Sequence, residues 1–217
     1  MIKNILTIGD SFTYGDELAD QYDAWPYLLG TLTNADVVNL GTPAASNDKI
    51  VRTVIESTFT ESADLIVIAW TSPGRTEYAD ENGYYDIWPG YSGNLFGTNT
   101  WRHDLVRYVT EHHNDSALHK KFIQQVLLVQ SLLTSQNKRY LMLNTVQNEH
   151  YKKVDFDHRE QYYTLIDQTH FVGFNLSGMA EWTYESAKGP NGHFLNDGHR
   201  TVAEKIYDYT RHLGWIS

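Results

Sequence analysis

Ile5-Leu6-Thr7-Ile8-Gly9-Asp10-Ser11-Phe12-Thr13-Tyr14-Gly15 runs an apolar stretch straight into a hydroxyl-bearing turn, and its reading decides the fold. Asn4 to Ile8 has the character of a buried strand. A serine at the carboxyl end of a strand stands where an open α/β sheet places its chemistry. Glycines on both sides let the backbone turn tightly and bring bare N–H groups close to a bound oxyanion. Ser11 is therefore a candidate nucleophile. The lipase-type elbow G-x-S-x-G does not occur in the chain.

Outward from this turn, strand-like and helix-like patterns alternate, the signature of parallel βαβ units. The spacing predicts a short helix over Trp25 to Leu32, a second strand over Asp36 to Leu40 and a helix over Asp48 to Phe59. Leu65 to Trp70 is the longest uninterrupted apolar run and reads as a third, buried strand. An amphipathic helix is expected from about Lys120 to Ser135, a fourth strand from Arg139 to Val146 and a closing helix from Thr201 to Leu213. The expected architecture is a three-layer α/β/α sandwich with a parallel, flavodoxin-like sheet, formed by residues 1–217 as a single domain.

Gly74 to Asn99 breaks the pattern. It is rich in Gly and Tyr, holds Tyr78, Tyr84, Tyr85, Trp88, Tyr91 and Phe96, and reads as a long loop after strand three. Loops of this length inside a domain are commonly functional. We expect either a lid or substrate wall carrying Trp88 and Tyr91, or aromatics that pack the loop onto the body.

Bulk properties narrow the function classes. A chain of 217 residues can bury about 70% of its unfolded surface without staples. The absence of cysteine excludes thiolate metal sites, a cysteine nucleophile and disulfides. Seventeen basic residues against 27 acidic ones leave a net charge of -10, which argues against nucleic acid and anionic membranes as partners. No run is long enough to span a bilayer, and Met1-Ile2-Lys3-Asn4 opens without a signal-type apolar region. A cytoplasmic protein is the expectation, with export by another route left open. His112 and His113 adjoin Glu111, but neighbouring helix positions face apart, so a solvated helix end is preferred to a metal site. Metal and cofactor are expected to be absent.

Gly9-Asp10-Ser11 resembles the first block of the SGNH (GDSL-like) hydrolases. Asn39-Leu40-Gly41-Thr42-Pro43-Ala44-Ala45-Ser46-Asn47 is similar to their second block, in which a glycine N–H helps bind the oxyanion. Aligned on Asn39, that position is Ala44, and an alanine resists positive φ. Gly41 and Asn47 are alternative donors, while Ser46 or Asn47 also suits a helix cap. The third block of the family reads G-x-N-D. Here the chain reads Trp70-Thr71-Ser72-Pro73-Gly74-Arg75-Thr76-Glu77, so Ser72 or Thr71 would stand in for the asparagine donor. Arg75 suits either a charged or polar substrate group or a salt bridge with Glu77 or another loop carboxylate.

Gly189 to Arg200 is similar to the last block, D-x-x-H-P followed by a Gly-His pair. Gly198-His199, Ala203 and Ile206 match its tail, which implies His193 as base and His199 as a secondary residue at the helix start. The acid position is then Pro190, or Asn196 if His199 were the base; neither is an acid. A dyad-like centre is expected, with His193 oriented by a backbone carbonyl, by Asn191 or by an outside carboxylate such as Asp197. The resemblance implies a serine esterase that needs no cofactor, with Ser11, Ala44 or Gly41, and Ser72 around the oxyanion. Asn47, Arg75, Trp88 and Tyr91 would bind a small-molecule or glycan ester, an O-acetylated carbohydrate being preferred. The alternative is a non-catalytic carbohydrate- or ligand-binding module on the same fold. Oligomeric state cannot be read from the chain.

Overall fold

The structure, a computed structural model, describes residues 2–89, 100–146, 149–174 and 177–216. Four strands, β1 (Asn4–Ile8), β2 (Asp36–Asn39), β3 (Leu65–Trp70) and β6 (Tyr140–Asn144), form a parallel sheet in the order β2-β1-β3-β6. Ile5 pairs with Val37 on one side and Leu65 on the other, which places the carboxyl ends of all four strands along one edge.

Both faces of the sheet are covered, which is why β3 is apolar at every position and buried throughout. Alternation along the strands divides the core in two. Leu6, Ile8, Ile66, Ile68, Trp70 and Met142 pack against α3 (Asn47–Glu56) and α6 (Asp115–Ser135). Ile5, Leu65, Val67, Ala69, Leu141 and Leu143 face α2 (Trp25–Thr33) and α10 (Asn196–His212) on the other side. The result is a parallel sheet flanked by helices, an α/β/α arrangement.

Several boundaries differ from expectation. The helix expected over 48–59 is interrupted at Ser57, and α4 (Phe59–Ser62) follows as a separate turn. α6 starts at Asp115, where Asn114 caps it by accepting the Ala117 N–H at 3.0 Å. α10 starts five residues early, so Asn196, Asp197, Gly198 and His199 lie inside its first turns. Between the core elements lie α1 (Ser11–Tyr14), α5 (Thr100–His112), α7 (Glu149–Lys152), α8 (Arg159–Thr164) and α9 (Met179–Trp182).

The long loop expected over 74–99 is corrected in its first part. β4 (Thr76–Asp80) and β5 (Gly83–Ile87) form an antiparallel hairpin closed by Glu81-Asn82. This hairpin is fastened to α3. Asp48 accepts from the Thr76 hydroxyl (2.7 Å), the Glu77 N–H (2.9 Å), Lys121 (2.7 Å) and Gln125 (2.8 Å), while Arg52 grips the Glu77 carboxylate. Burial works to raise the pKa of Asp48, but Lys121, Thr76 and the Glu77 N–H together hold it below the ordinary value. Asp86 also accepts the Ser46 N–H at 2.8 Å. These charge-assisted contacts fasten the hairpin to α3 and α6. Tyr91 and Phe96 lie outside the described residues.

Candidate active site

At the end of β1, Asp10 N-caps α1, its carboxylate accepting the Phe12 N–H at 3.1 Å. Ser11 is the first residue of that helix, where a backbone N–H has no partner within the helix. Gly15, at φ 91°, ends the single turn in the left-handed conformation. Two residues on, Glu17 is itself left-handed at φ 67°. A conformation this unfavourable for a residue with a Cβ persists only where surrounding contacts hold it.

Those contacts come from the far end of the chain. The segment leading into α10 folds back on itself, with a Lys188–Phe194 bridge and a Gly189 N–H to His193 carbonyl bond of 2.8 Å. Glu17 receives the Asn191 N–H at 2.8 Å and the His193 N–H at 3.1 Å, and its Oε2 lies 2.8 Å from His193 Nδ1. On the other side of the ring, His193 Nε2 lies 2.8 Å from Ser11 Oγ. A Cβ at position 189 would sit 2.6 Å from the Glu17 carboxyl carbon, so a side chain there would push the acid from its place against His193.

An ionised carboxylate can only accept, so Glu17 holds the proton on His193 Nδ1 and leaves the Nε2 lone pair facing the serine hydroxyl. Burial pushes the Glu17 pKa up, but the Asn191 N–H, the His193 side chain and the His193 N–H outweigh it and hold the acid below its ordinary value. The side chains of His193 and Glu17 are only 14% and 9% exposed. Phe12 packs on the imidazole at 4.7 Å between ring centroids. Of the three kinds of orienting partner expected, it is an outside carboxylate that stands at Nδ1, and it is Glu17 in place of Asp197. Asp197 instead accepts the Ala187 N–H at 3.1 Å, and Asn191 contributes its backbone N–H to Glu17. No local signal marked Glu17, which lies 176 residues from His193.

The expected oxyanion donors separate sharply. Ala44 adopts φ 65°, the positive value that alanine resists, and no hydrogen bond from its N–H occurs among the described residues. Gly41 is corrected, since its N–H already donates to Asn39 Oδ1 at 3.0 Å. Thr71 is fully buried. Ser72 Oγ accepts the Gly74 N–H at 3.3 Å, yet the residue lines the adjacent cleft. Asn47 is corrected as a substrate ligand: it is 1% exposed and clamps the β3 loop, accepting the Thr71 N–H at 3.0 Å and donating to the Thr71 and Ser72 carbonyls. Ser46 is the cap of α3, accepting the Lys49 N–H at 3.2 Å.

Arg75 does not pair with Glu77, which Arg52 occupies. Its Nη1 lies 3.6 Å from Asp10 Oδ2 and 3.4 Å from the Ala45 carbonyl, and its guanidinium lies 5.1 Å from the centre of the Trp88 ring. Ser72, Gly74, Arg75, Trp88, Val146 and Tyr151 help to line a cleft of about 470 Å³. A smaller hollow of about 290 Å³ includes Phe12, Val146, Ala180, Gly192 and Phe194, so the neighbours of Ser11 and His193 face it.

His199 plays a different part. It is fully buried, and its Nδ1 accepts the Trp25 N–H at 3.1 Å, tying α10 to α2. Burial, aided by the nearby His193, pushes its pKa down to about 3, so the ring is neutral at ordinary pH. His113 Nδ1 lies 2.9 Å from the Thr110 carbonyl, beyond the end of α5. Among the described residues no group of three His, Asp or Glu side chains could hold a metal ion, and no helix is long and apolar enough to cross a membrane.

Residues 14–216 match a family described as a family of unknown function (DUF6071). The chain belongs to this family. The match opens at Tyr14, so Glu17 and His193 lie within the family region and Ser11 just ahead of it. No curated protein sequence matches the chain. Among solved structures, the psychrotrophic esterase EstA from Pseudoalteromonas sp. aligns with a TM-score of 0.57 at 12% identity, over 97% of this chain and 98% of that one. A member of the lipolytic G-D-S-L family from Veillonella parvula DSM 2008 gives 0.51 at 14% identity, over 95% and 97%. The acetyl xylan esterase Est2A from Butyrivibrio proteoclasticus gives 0.53 at 13% identity; it is matched by 99% of this chain, which spans only 65% of its length. The fold is that of the SGNH (GDSL-like) hydrolases, and it resembles esterases and lipolytic enzymes broadly.

Proposed function

We propose that the chain is a serine esterase in which Ser11, His193 and Glu17 act as a triad. The carrying observation is the unbroken relay from Ser11 Oγ to His193 Nε2 (2.8 Å) and from His193 Nδ1 to Glu17 Oε2 (2.8 Å). A binding module has no need of a hydroxyl, a base and an orienting carboxylate in line, and this disfavours the non-catalytic alternative.

His193 Nε2 takes the Ser11 proton as Oγ bonds to the ester carbonyl carbon, and the carbonyl electrons move onto oxygen. The N–H groups of Ser11 and Ala44 face the charge that develops there. Collapse expels the alcohol, which leaves with the proton from His193, and an acyl-serine remains. Water then adds with His193 as base, the acid departs and Ser11 regains its proton. Glu17 stays ionised throughout and stabilises the imidazolium.

The remaining readings share this footing. The strand order corresponds to the flavodoxin-like 2-1-3-4 arrangement, with a Met142–Phe171 bridge where a fifth strand would lie, in one domain. A carbohydrate ester keeps its place as substrate because Trp88 and polar groups line the larger cleft. In the test, a fluorophosphonate probe should label Ser11 alone, and the protein should turn over p-nitrophenyl acetate. Labelling of another residue, or no turnover by folded protein, would remove the assignment.

A further inference from the structure

We propose that Arg75 supplies a third, cationic donor to the oxyanion, an inference that rests on the Ser11 reading above. Ser11 and Ala44 offer only neutral N–H dipoles to a full negative charge. Arg75 reaches from the loop after β3 to Asp10, which precedes Ser11, and to the carbonyl of Ala45, which follows Ala44. Its guanidinium thus spans the two loops that carry the other donors.

Both contacts are long, at 3.6 and 3.4 Å, and both use Nη1. A guanidinium has five N–H donors. Among the described residues, Nε and Nη2 have no hydrogen-bonded acceptor. The Asp10 carboxylate is already engaged, Oδ1 by the Phe12 N–H and Oδ2 by the Thr145 hydroxyl at 2.9 Å. Arg75 is therefore oriented by Asp10 without being consumed by it. The Trp88 ring supports the guanidinium, and the side chain, 20% exposed, opens onto the cleft beside Ser72. A largely desolvated cation with spare donors, held by the residue that precedes the nucleophile, would strengthen its hold as charge grows on the carbonyl oxygen and gain little from the neutral ground state.

The experiment compares wild type, Arg75→Met and Arg75→Lys on p-nitrophenyl acetate, which has no anionic group. It also measures inhibition by a small alkylboronic acid, which forms a tetrahedral adduct. For Arg75→Met we expect kcat to fall about 100- to 1000-fold with KM nearly unchanged, and boronate affinity to fall in parallel. Arg75→Lys should retain an intermediate rate. Unchanged kcat, a loss confined to KM, or a loss with full boronate affinity would overturn the role, the last showing that the pair with Asp10 only shapes the loop. A wild type that neither hydrolyses the ester nor takes the fluorophosphonate would instead refute the Ser11 reading. An active wild type with an equally active Arg75→Met refutes Arg75 alone.

Discussion

The contact between the β1 loop and the segment before α10 differs in kind from the loops after β2 and β3. In the first, side chains far apart in sequence meet in short, directional bonds, with Ser11 and Glu17 at the two ends of the relay and His193 bonded to both. In the second, most of the polar groups that looked available are already engaged. Gly41 serves Asn39, and Asn47 serves Thr71 and Ser72. A loop donor is free for chemistry only when the fold has not used it to satisfy a buried backbone group. Ala44, held at a positive φ, is the exception that leaves an N–H open.

The strongest way to break this contrast is through the relay. Ser11→Ala and His193→Ala should each lower kcat by about 10⁴- to 10⁶-fold while leaving the thermal midpoint nearly unchanged. His199→Ala should cost stability far more than rate, because its ring ties two helices and does not face Ser11. A larger rate loss for His199→Ala than for His193→Ala would move the base.

Glu17→Gln comes next. It keeps the shape but cannot accept the His193 Nδ1–H and both backbone N–H groups as a carboxylate does, so kcat should fall about 10²- to 10⁴-fold. A loss below tenfold would reduce the centre to a dyad.

On the other side of the comparison, Asn47→Ala should destabilise the protein by roughly 2–3 kcal/mol in urea titration, since it strands buried backbone groups. Its effect on KM should stay within threefold. A large KM change at unchanged stability would restore Asn47 as a substrate ligand.

The two buried histidines predict acid sensitivity. Burial pushes the His119 pKa down to about 4 and that of His199 to about 3, each below the unfolded value of about 6.5. Above pH 6.5 both states are neutral and the full stability is present. As pH falls, the unfolded chain takes up protons first, and each ring costs about 1.4 kcal/mol per pH unit down to its folded pKa. Between pH 6.5 and 5, unfolding free energy should therefore drop, and His199→Gln should flatten the slope by about half. An unchanged slope in that variant would mean that the ring is charged in the native state.

The smallest effect is expected at Ala44. A left-handed L-residue costs about 1–2 kcal/mol, and the flexibility of glycine in the unfolded chain returns roughly 0.5–1 kcal/mol of that. Ala44→Gly should thus gain about 0.5–1 kcal/mol by denaturant titration, with kcat/KM within threefold of wild type. Destabilisation would show that the loop does not require the positive φ.

Much of the scaffold was legible because its signals are local. Apolar runs such as Leu65–Trp70 announce a strand buried on both faces, and i, i+3, i+4 patterns announce α3, α6 and α10. Boundaries moved where a cap decided them, as Asn114 did for α6. The hairpin at 76–87 escaped because its strands carry polar residues on both sides and draw their hold from Asp48 and Arg52 of another element. Its one local signal, Asn82-Gly83, lies one residue past the centre of the turn, with Gly83 already in β5.

By itself, then, the sequence determined the alternating α/β architecture and the position of Ser11 at a strand end. Both are written in a few contiguous residues, whereas His193 was singled out by the resemblance of its segment to a family block. Only the tertiary structure decided that Glu17 orients His193, that Asn47 and Gly41 are already engaged, and that Arg75 turns to Asp10 and not to Glu77. These are hydrogen-bond and charge pairings between segments far apart in the chain. Strand order and loop closure set which partners meet, and no local pattern of residues encodes that choice.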